Sequence, residues 1–118
     1  MPFRRNRPNP VRTAFKIFLN GKKENYPFSI DNESNPAFKK YAECKLDVDD
    51  FNAYDCTDIA VLHVLYQGLF DGEDQRAKRA LIYGSNSCRP ALADYAEFLR
   101  ANGTATNDKD KLEFKKID

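Results

Sequence analysis

The hydrophobic pattern is densest between Thr57 and Phe70, where apolar and aromatic residues fill most of the stretch TDIAVLHVLYQGLF. These residues occupy every side of a helical wheel. A helix with one apolar stripe lies on a surface, whereas a helix that is apolar nearly all round is enclosed by its neighbours. The stretch therefore predicts the central buried helix of the fold, with Asp55 or Thr57 as its N-cap.

A second pattern runs from Val11 to Ile30, where apolar and polar residues alternate on both sides of Asn20-Gly21. The Asn-Gly dipeptide suits the positive φ angles of a two-residue type I′ turn between paired strands. With that turn, the two segments agree on which face is apolar, as paired strands must. The pattern therefore predicts an antiparallel β-hairpin whose outer face carries Arg12, Lys16, Phe18 and Lys23.

Three further helices are predicted from capping residues and apolar spacing. They run from Asn35-Pro36 to about Cys44, from about Glu73 to Tyr83, and from Cys88, capped by Ser87, to Asn102. The segment from Lys45 to Tyr54 fits either a third strand or an acidic loop. The predicted fold class is α+β: an N-terminal antiparallel β-hairpin, with or without a third strand, packed on three to four helices around the central buried helix.

The length of 118 residues predicts a single domain, with a flexible basic arm at 1–10, a globular core at 11–103 and a polar tail at 104–118. No apolar run approaches the length of a membrane helix. Three cysteines, an odd number, do not suggest a disulfide framework. We therefore expect a cytoplasmic protein with no membrane partner. Because an isolated hairpin is marginally stable, its apolar face must cover helices or join a second copy in a homodimer.

Charge is distributed unevenly, although the formal net charge is only +1. The first 23 residues hold seven basic side chains and no acidic one, while the rest of the chain holds 12 basic and 18 acidic side chains. Such asymmetry is a known sign of a polyanion-binding segment. The predicted phosphate-binding cations are Arg4, Arg5 and Arg7 of the arm and Arg12, Lys16, Lys22 and Lys23 of the hairpin, with Phe18 placed to contact a base or sugar.

The function predicted from these residues is a small non-enzymatic nucleic-acid-binding protein with weak sequence specificity, DNA and RNA being left open. The alternative is a protein-binding accessory factor or inhibitor. It would use the acidic region from Tyr41 to Gln75, in which nine acidic residues accompany Lys45 as the one basic residue. In that case Phe18 would be buried in the protein partner.

Weaker chemical signals are carried by the cysteines, the histidine and a second basic group. Ser87, Cys88 and Arg89 precede or open a helix and could form an anion site, in which the helix end would lower the thiol pKa. His63 could pair with a cysteine, or join Cys44, Cys56 and Cys88 around zinc, but the spacings are unsuitable. The helix from Glu73 to Tyr83 carries a second basic group, which consists of Arg76, Lys78 and Arg79. This group is predicted to be an ordinary solvated surface. No catalytic residue, metal or cofactor is predicted.

Overall fold

The computed structural model of the chain describes residues 9–24, 27–109 and 112–115, with the side chains of 27 and 28 excepted. Its fold is mostly α. The helices are α1 (Pro10–Gly21), α2 (Pro36–Leu46), α3 (Ile59–Gly68), α4 (Gln75–Tyr83) and α5 (Cys88–Ala101). Two short 3-10 helices lie at Pro27–Ile30 and Ala53–Asp55. No strand occurs within the described ranges, where the one β-type pairing is an isolated parallel bridge between Asp58 and Thr106.

The predicted hairpin, and with it the α+β fold class, is wrong, because the first hairpin segment is helix α1. Asn9 is its N-cap, and the Asn9 side chain accepts hydrogen bonds from the backbone N–H groups of Val11 and Arg12 at 2.9 and 3.2 Å. Pro10 occupies the first turn, where a missing N–H costs nothing. The apolar residues that alternate in the sequence also recur at helical spacing, so the helix buries Phe15 and Leu19.

Asn20-Gly21 closes this helix instead of turning a hairpin. The backbone N–H groups of Lys22 and Glu24 both donate to the carbonyl of Leu19, at 3.0 and 2.9 Å. Between them, Lys23 adopts the left-handed conformation with φ 62°, a conformation common just after helix ends. The dipeptide lies at the end of a regular element in either structure, which is why it could not distinguish a helix end from a strand turn.

The three later helices predicted from capping residues are confirmed. Asn35 caps α2 by accepting a hydrogen bond from the N–H of Phe38 at 3.1 Å. The helix before Tyr83 and the helix that begins at Cys88 are present as α4 and α5. The ambiguous segment from 45 to 54 completes α2 and then forms an acidic loop and the start of a 3-10 helix, not a strand.

The most enclosed helix is α5, and not the predicted central helix. Ten residues of α5 are buried. The predicted helix forms as α3, capped by Asp58 and not by Asp55 or Thr57, but Val64 on its outer side is exposed. Apolar composition predicted the burial of α3, whereas the small residues of α5 allow other elements to approach it from several sides.

Four aromatic rings join α1 to this core. The Phe15 ring packs against Tyr95 at 5.2 Å and Phe98 at 5.5 Å on α5, and against Tyr54 at 6.4 Å. Phe15 is fully buried. The N-terminal segment, predicted to form a hairpin, is therefore part of the central helical packing. Within the described residues, every helix is too short or too polar to cross a membrane.

Candidate functional site

The cations predicted to form one hairpin face do not gather on a phosphate-binding surface. The Arg12 guanidinium is bound to the Asp31 carboxylate at 2.8 Å. Lys22 contacts the fully buried carboxylate of Asp94 at 2.8 Å and the more exposed Glu97 at 2.6 Å. These two cations are neutralised by the protein's own acidic residues, so they are poorly placed to bind an external phosphate.

The other members of the predicted site differ in their environment where the structure describes them. Lys16 and Lys23 are exposed. Phe18 is half-buried and packs edge-on against Phe98 at 5.5 Å, with Lys22 over its ring at 5.4 Å. Its ring is therefore part of the α1–α5 packing, which makes it unsuitable for stacking on a base. The three arginines of the arm lie outside the described residues, and they are Arg4, Arg5 and Arg7.

A different group of cations lines a groove between α2 and α4. The groove has a volume of about 350 Å³ and is lined by Pro36, Ala37, Lys40, Arg76, Arg79 and Tyr83. Its cationic side chains and its tyrosine are exposed, and the tyrosine is 62% exposed. On α4 the spacing of Arg76, Arg79 and Tyr83 places them on one helical face. We call these six residues the cationic groove.

A buried asparagine fixes the spacing of the two helices that form the cationic groove. The Asn35 side-chain amide donates to the carbonyls of Ser29 and Ala80 at 2.7 and 3.0 Å, which ties the start of α2 to α4. Gly84 permits this approach, since a Cβ there would lie 2.8 Å from the Cys88 sulfur and 3.1 Å from the Asn35 amide nitrogen. The packing of α2 on α4, which forms the groove, is therefore supported by a buried polar contact.

The electrostatics of the cationic groove favour an anion. None of the ion pairs formed by the described residues involves Lys40, Arg76 or Arg79. Asp74, the nearest acid along α4, accepts hydrogen bonds from the backbone N–H groups of Arg76 and Ala77 as the N-cap. Three like charges on one concave surface repel one another, and a bound phosphate would relieve that repulsion while accepting hydrogen bonds from the guanidinium groups.

Comparisons of the chain with protein-family models, with curated protein sequences and with solved structures find no match. The function is therefore inferred from the side chains and their geometry.

The anion site predicted at the start of α5 includes residues whose side chains make contacts within the protein. Cys88 is buried, and its thiol donates to the carbonyls of Ser29 and Ala80 at 3.0 and 3.3 Å. Ser87 makes no side-chain capping bond, and the Arg89 guanidinium lies over the Phe70 ring at 4.6 Å. The Cys88 thiol and the Arg89 guanidinium are therefore engaged in internal contacts.

Burial also argues against a reactive thiol at Cys88, since burial raises the pKa of Cys88 to about 12. Burial raises the pKa of Cys56 as well, while Cys44 is exposed. We expect iodoacetamide to alkylate Cys44 first, Cys56 more slowly and Cys88 slowest in the native protein at mildly alkaline pH. Mass spectrometry of timed samples measures this order, with urea-unfolded protein as the control in which the three rates converge. Fast native alkylation of Cys88 would contradict its burial.

The weaker metal and dyad hypotheses also find no supporting geometry. Within the described ranges, no group of three or more His, Cys, Asp or Glu side chains is placed to hold a metal ion. The Nε2 of His63 lies 3.0 Å from the carbonyl of Glu113. Because a carbonyl cannot donate, that nitrogen carries the proton. His63 is therefore engaged with the C-terminal segment and not with a cysteine.

The sequence contains only part of the signal for the cationic groove, so the groove was not predicted. The three-residue spacing of Arg76 and Arg79 places both on one face, and Tyr83 extends that face by one turn. Lys40, however, is 36 positions before Arg76 in the chain. Only the packing of α2 on α4 brings it to the same groove.

Proposed function

We propose that this protein is a small non-enzymatic nucleic-acid-binding protein that holds a phosphate backbone in the cationic groove. One observation carries the proposal: cations from two separate helices line a single concavity and form no ion pair with the described carboxylates. Charge supplied by backbone contacts gives affinity without sequence information. Weak sequence specificity therefore remains the expectation, with the cationic groove in place of the hairpin face.

The composition of the groove favours a nucleic acid over a single small anion. Arg76 and Arg79 offer paired donors on one helix and Lys40 a point charge on the other, which suits successive phosphates along a chain. The exposed Tyr83 ring beside these cations offers a surface on which a base or sugar can pack. The basic arm remains a separate prediction, in which Arg4, Arg5 and Arg7 add contacts to the same polyanion.

Charge reversal in the groove tests the proposal. The double variant Arg76→Glu and Arg79→Glu is expected to bind fluorescent single- and double-stranded oligonucleotides at least about tenfold more weakly than wild type at about 50 mM salt. Lys78→Glu is the matched control, since Lys78 is exposed on the same helix but does not line the groove. We expect it to lower affinity by less than about threefold.

Fluorescence anisotropy measures both affinities, and a variant lacking residues 2–8 separates the arm from the groove. Equal reductions in affinity for the double variant and for Lys78→Glu would contradict a specific role for the groove. A reduction confined to the arm deletion would assign nucleic-acid binding to the arm and would contradict the groove proposal.

A second candidate function is docking of a basic protein on the acidic loop after α2. Val48 is 44% exposed and lies between exposed Asp47 and Asp49, with the Asp50 side chain fully exposed nearby. An exposed apolar side chain with acidic residues on both sides in the sequence suits a cationic, partly apolar partner. Phe18, the aromatic that the sequence offered for such a surface, packs against α5 and does not contribute.

A further inference from the structure

The backbone of the C-terminal segment, residues 112–115, is hydrogen-bonded to side chains of α3 and α5. Arg100 donates from Nη2 to the carbonyl of Leu112 at 2.8 Å, and His63 donates to the carbonyl of Glu113 at 3.0 Å. The Tyr66 hydroxyl accepts from the N–H of Lys115 at 2.6 Å and donates to the carbonyl of the same residue. Three side chains thus bind the backbone of three residues.

The side chains of this segment alternate in their environment. Leu112 and Phe114 are partly buried and pack against the hydrophobic core, whereas Glu113 and Lys115 are exposed. The Phe114 ring lies 5.0 Å from the His63 ring and 5.2 Å from the Tyr66 ring. This two-residue alternation is typical of an extended chain whose alternate side chains enter a groove.

These contacts recognise a pattern of residues more than one particular sequence. Backbone groups are common to every peptide, so the hydrogen bonds from Arg100, His63 and Tyr66 carry no sequence preference. Preference arises at the two inward positions, where one apolar and one aromatic side chain enter the groove. Any extended peptide with an apolar residue followed two positions later by an aromatic residue presents the same groups.

We infer that this α3–α5 face is a docking groove for an extended peptide of the pattern apolar, any residue, aromatic, supplied by a partner protein, and that residues 112–115 fill it in cis. The inference concerns a different face from the cationic groove and does not depend on nucleic-acid binding. The chain's own segment competes with the partner peptide because its attachment gives it a high effective concentration. A partner must therefore bind more tightly than Leu112 and Phe114 do.

The surroundings of the segment leave room for a better ligand. A cavity of about 440 Å³ adjoins it, lined by His63, Tyr66, Gln67, Phe70, Glu113 and Lys115. Phe70 at its edge is 47% exposed and packs edge-on against Tyr66 at 5.2 Å. A larger apolar side chain on a partner peptide can bury more area against these rings, which supplies the extra affinity that displacement requires.

The test uses a fluorescein-labelled peptide with the sequence of residues 107–118 and the full-length protein. Phe114→Ala weakens the competing segment, so this variant is expected to bind the peptide about tenfold more tightly than wild type does. The same peptide with alanine at the position of Phe114 is the control and is expected to bind at least about tenfold more weakly. In the Phe114→Ala background, adding Tyr66→Phe removes one hydroxyl and is expected to weaken peptide binding about fivefold.

Anisotropy gives the affinities, and circular dichroism shows whether each variant is folded. Absence of peptide binding by a folded Phe114→Ala variant would overturn the inference. Where that variant does not fold, Leu112→Ala takes its place, since Leu112 is the other inward side chain of the competing segment. Absence of peptide binding by the folded Leu112→Ala variant would overturn the inference equally. A concentration-dependent dimer that Phe114→Ala abolishes would identify a second copy of the chain as the occupant and overturn the assignment to a partner protein.

Discussion

Replacing Phe15 by alanine is expected to lower the free energy of unfolding by about 4 kcal/mol. Phe15 is fully buried, and its ring packs against those of Tyr54, Tyr95 and Phe98. Truncation removes the free energy gained by burying the Phe15 ring. It also leaves a cavity among three rings that cannot move together to fill it. Urea unfolding followed by circular dichroism measures the change, provided that the slope with denaturant stays constant.

Ile17→Ala is the matched control for this prediction, and it also tests the secondary structure of the segment. In α1, Ile17 is 66% exposed, and its replacement is expected to change stability by less than about 0.5 kcal/mol. In a β-strand, residues 15 and 17 would share the apolar face, so both substitutions would destabilise. A large effect of Ile17→Ala would contradict the helix and return support to the hairpin.

Lys22→Met is expected to lower the free energy of unfolding by about 3 kcal/mol. The substitution keeps an unbranched side chain but removes the charge that faces the fully buried carboxylate of Asp94. Without this cation, the buried carboxylate loses a charge that offsets part of its desolvation cost. The expected effect lies at the lower end of the range for buried pairs because the Lys22 side chain is 27% exposed. Chemical unfolding at neutral pH measures it.

Lys23→Met is the control for this second prediction, since Lys23 is exposed beside Lys22 and keeps its positive φ with either side chain. We expect it to change stability by less than about 0.5 kcal/mol. A double-mutant cycle combines Lys22→Met with Asp94→Leu. The double variant is expected to lose at least about 1.5 kcal/mol less unfolding free energy than the sum of the two single losses. Strict additivity would show that Lys22 and Asp94 are not coupled.

Part of the charge asymmetry of the sequence is used in ion pairs within the chain. Arg12 and Lys22, near the two ends of α1, bind Asp31 and Asp94 of the acidic remainder. These two ion pairs help to hold helix α1 on the rest of the described chain. An uneven charge distribution predicts an attraction, but the sequence does not say whether the partner is another molecule or another part of the same chain.

The fold was predictable where a local signal acted alone. Asn35-Pro36 correctly predicted the start of α2, because N-capping and a proline in the first turn are properties of adjacent residues. Asn9-Pro10 is the same signal, but the hairpin prediction took no account of it and relied on Asn20-Gly21 and on alternation. Alternation and helical spacing share many positions over so short a segment. The aromatic packing of Phe15 on α5 favours the helix. That packing joins residues far apart in the sequence, so no local pattern indicates it.

The candidate site could be predicted only in part for a related reason. Helical spacing alone places Arg76 and Arg79 on one face, but it does not bring Lys40 to them. The hydrogen bond from Asn35 to Ala80 sets α2 against α4, and nothing in the spacing of those two residues indicates it. The docking of the C-terminal segment is equally non-local, since His63 and Glu113 are far apart in sequence and meet through the fold.

The most direct test of the proposed function is the salt dependence of oligonucleotide binding by wild type and by the double variant Arg76→Gln and Arg79→Gln. Each arginine that neutralises a phosphate of a single strand adds about 0.7 to the magnitude of the slope of log K against log salt concentration. If both arginines bind phosphates, the slope of the double variant is expected to be smaller in magnitude than that of wild type by about 1.4. Parallel slopes for the two proteins would contradict phosphate binding in the cationic groove.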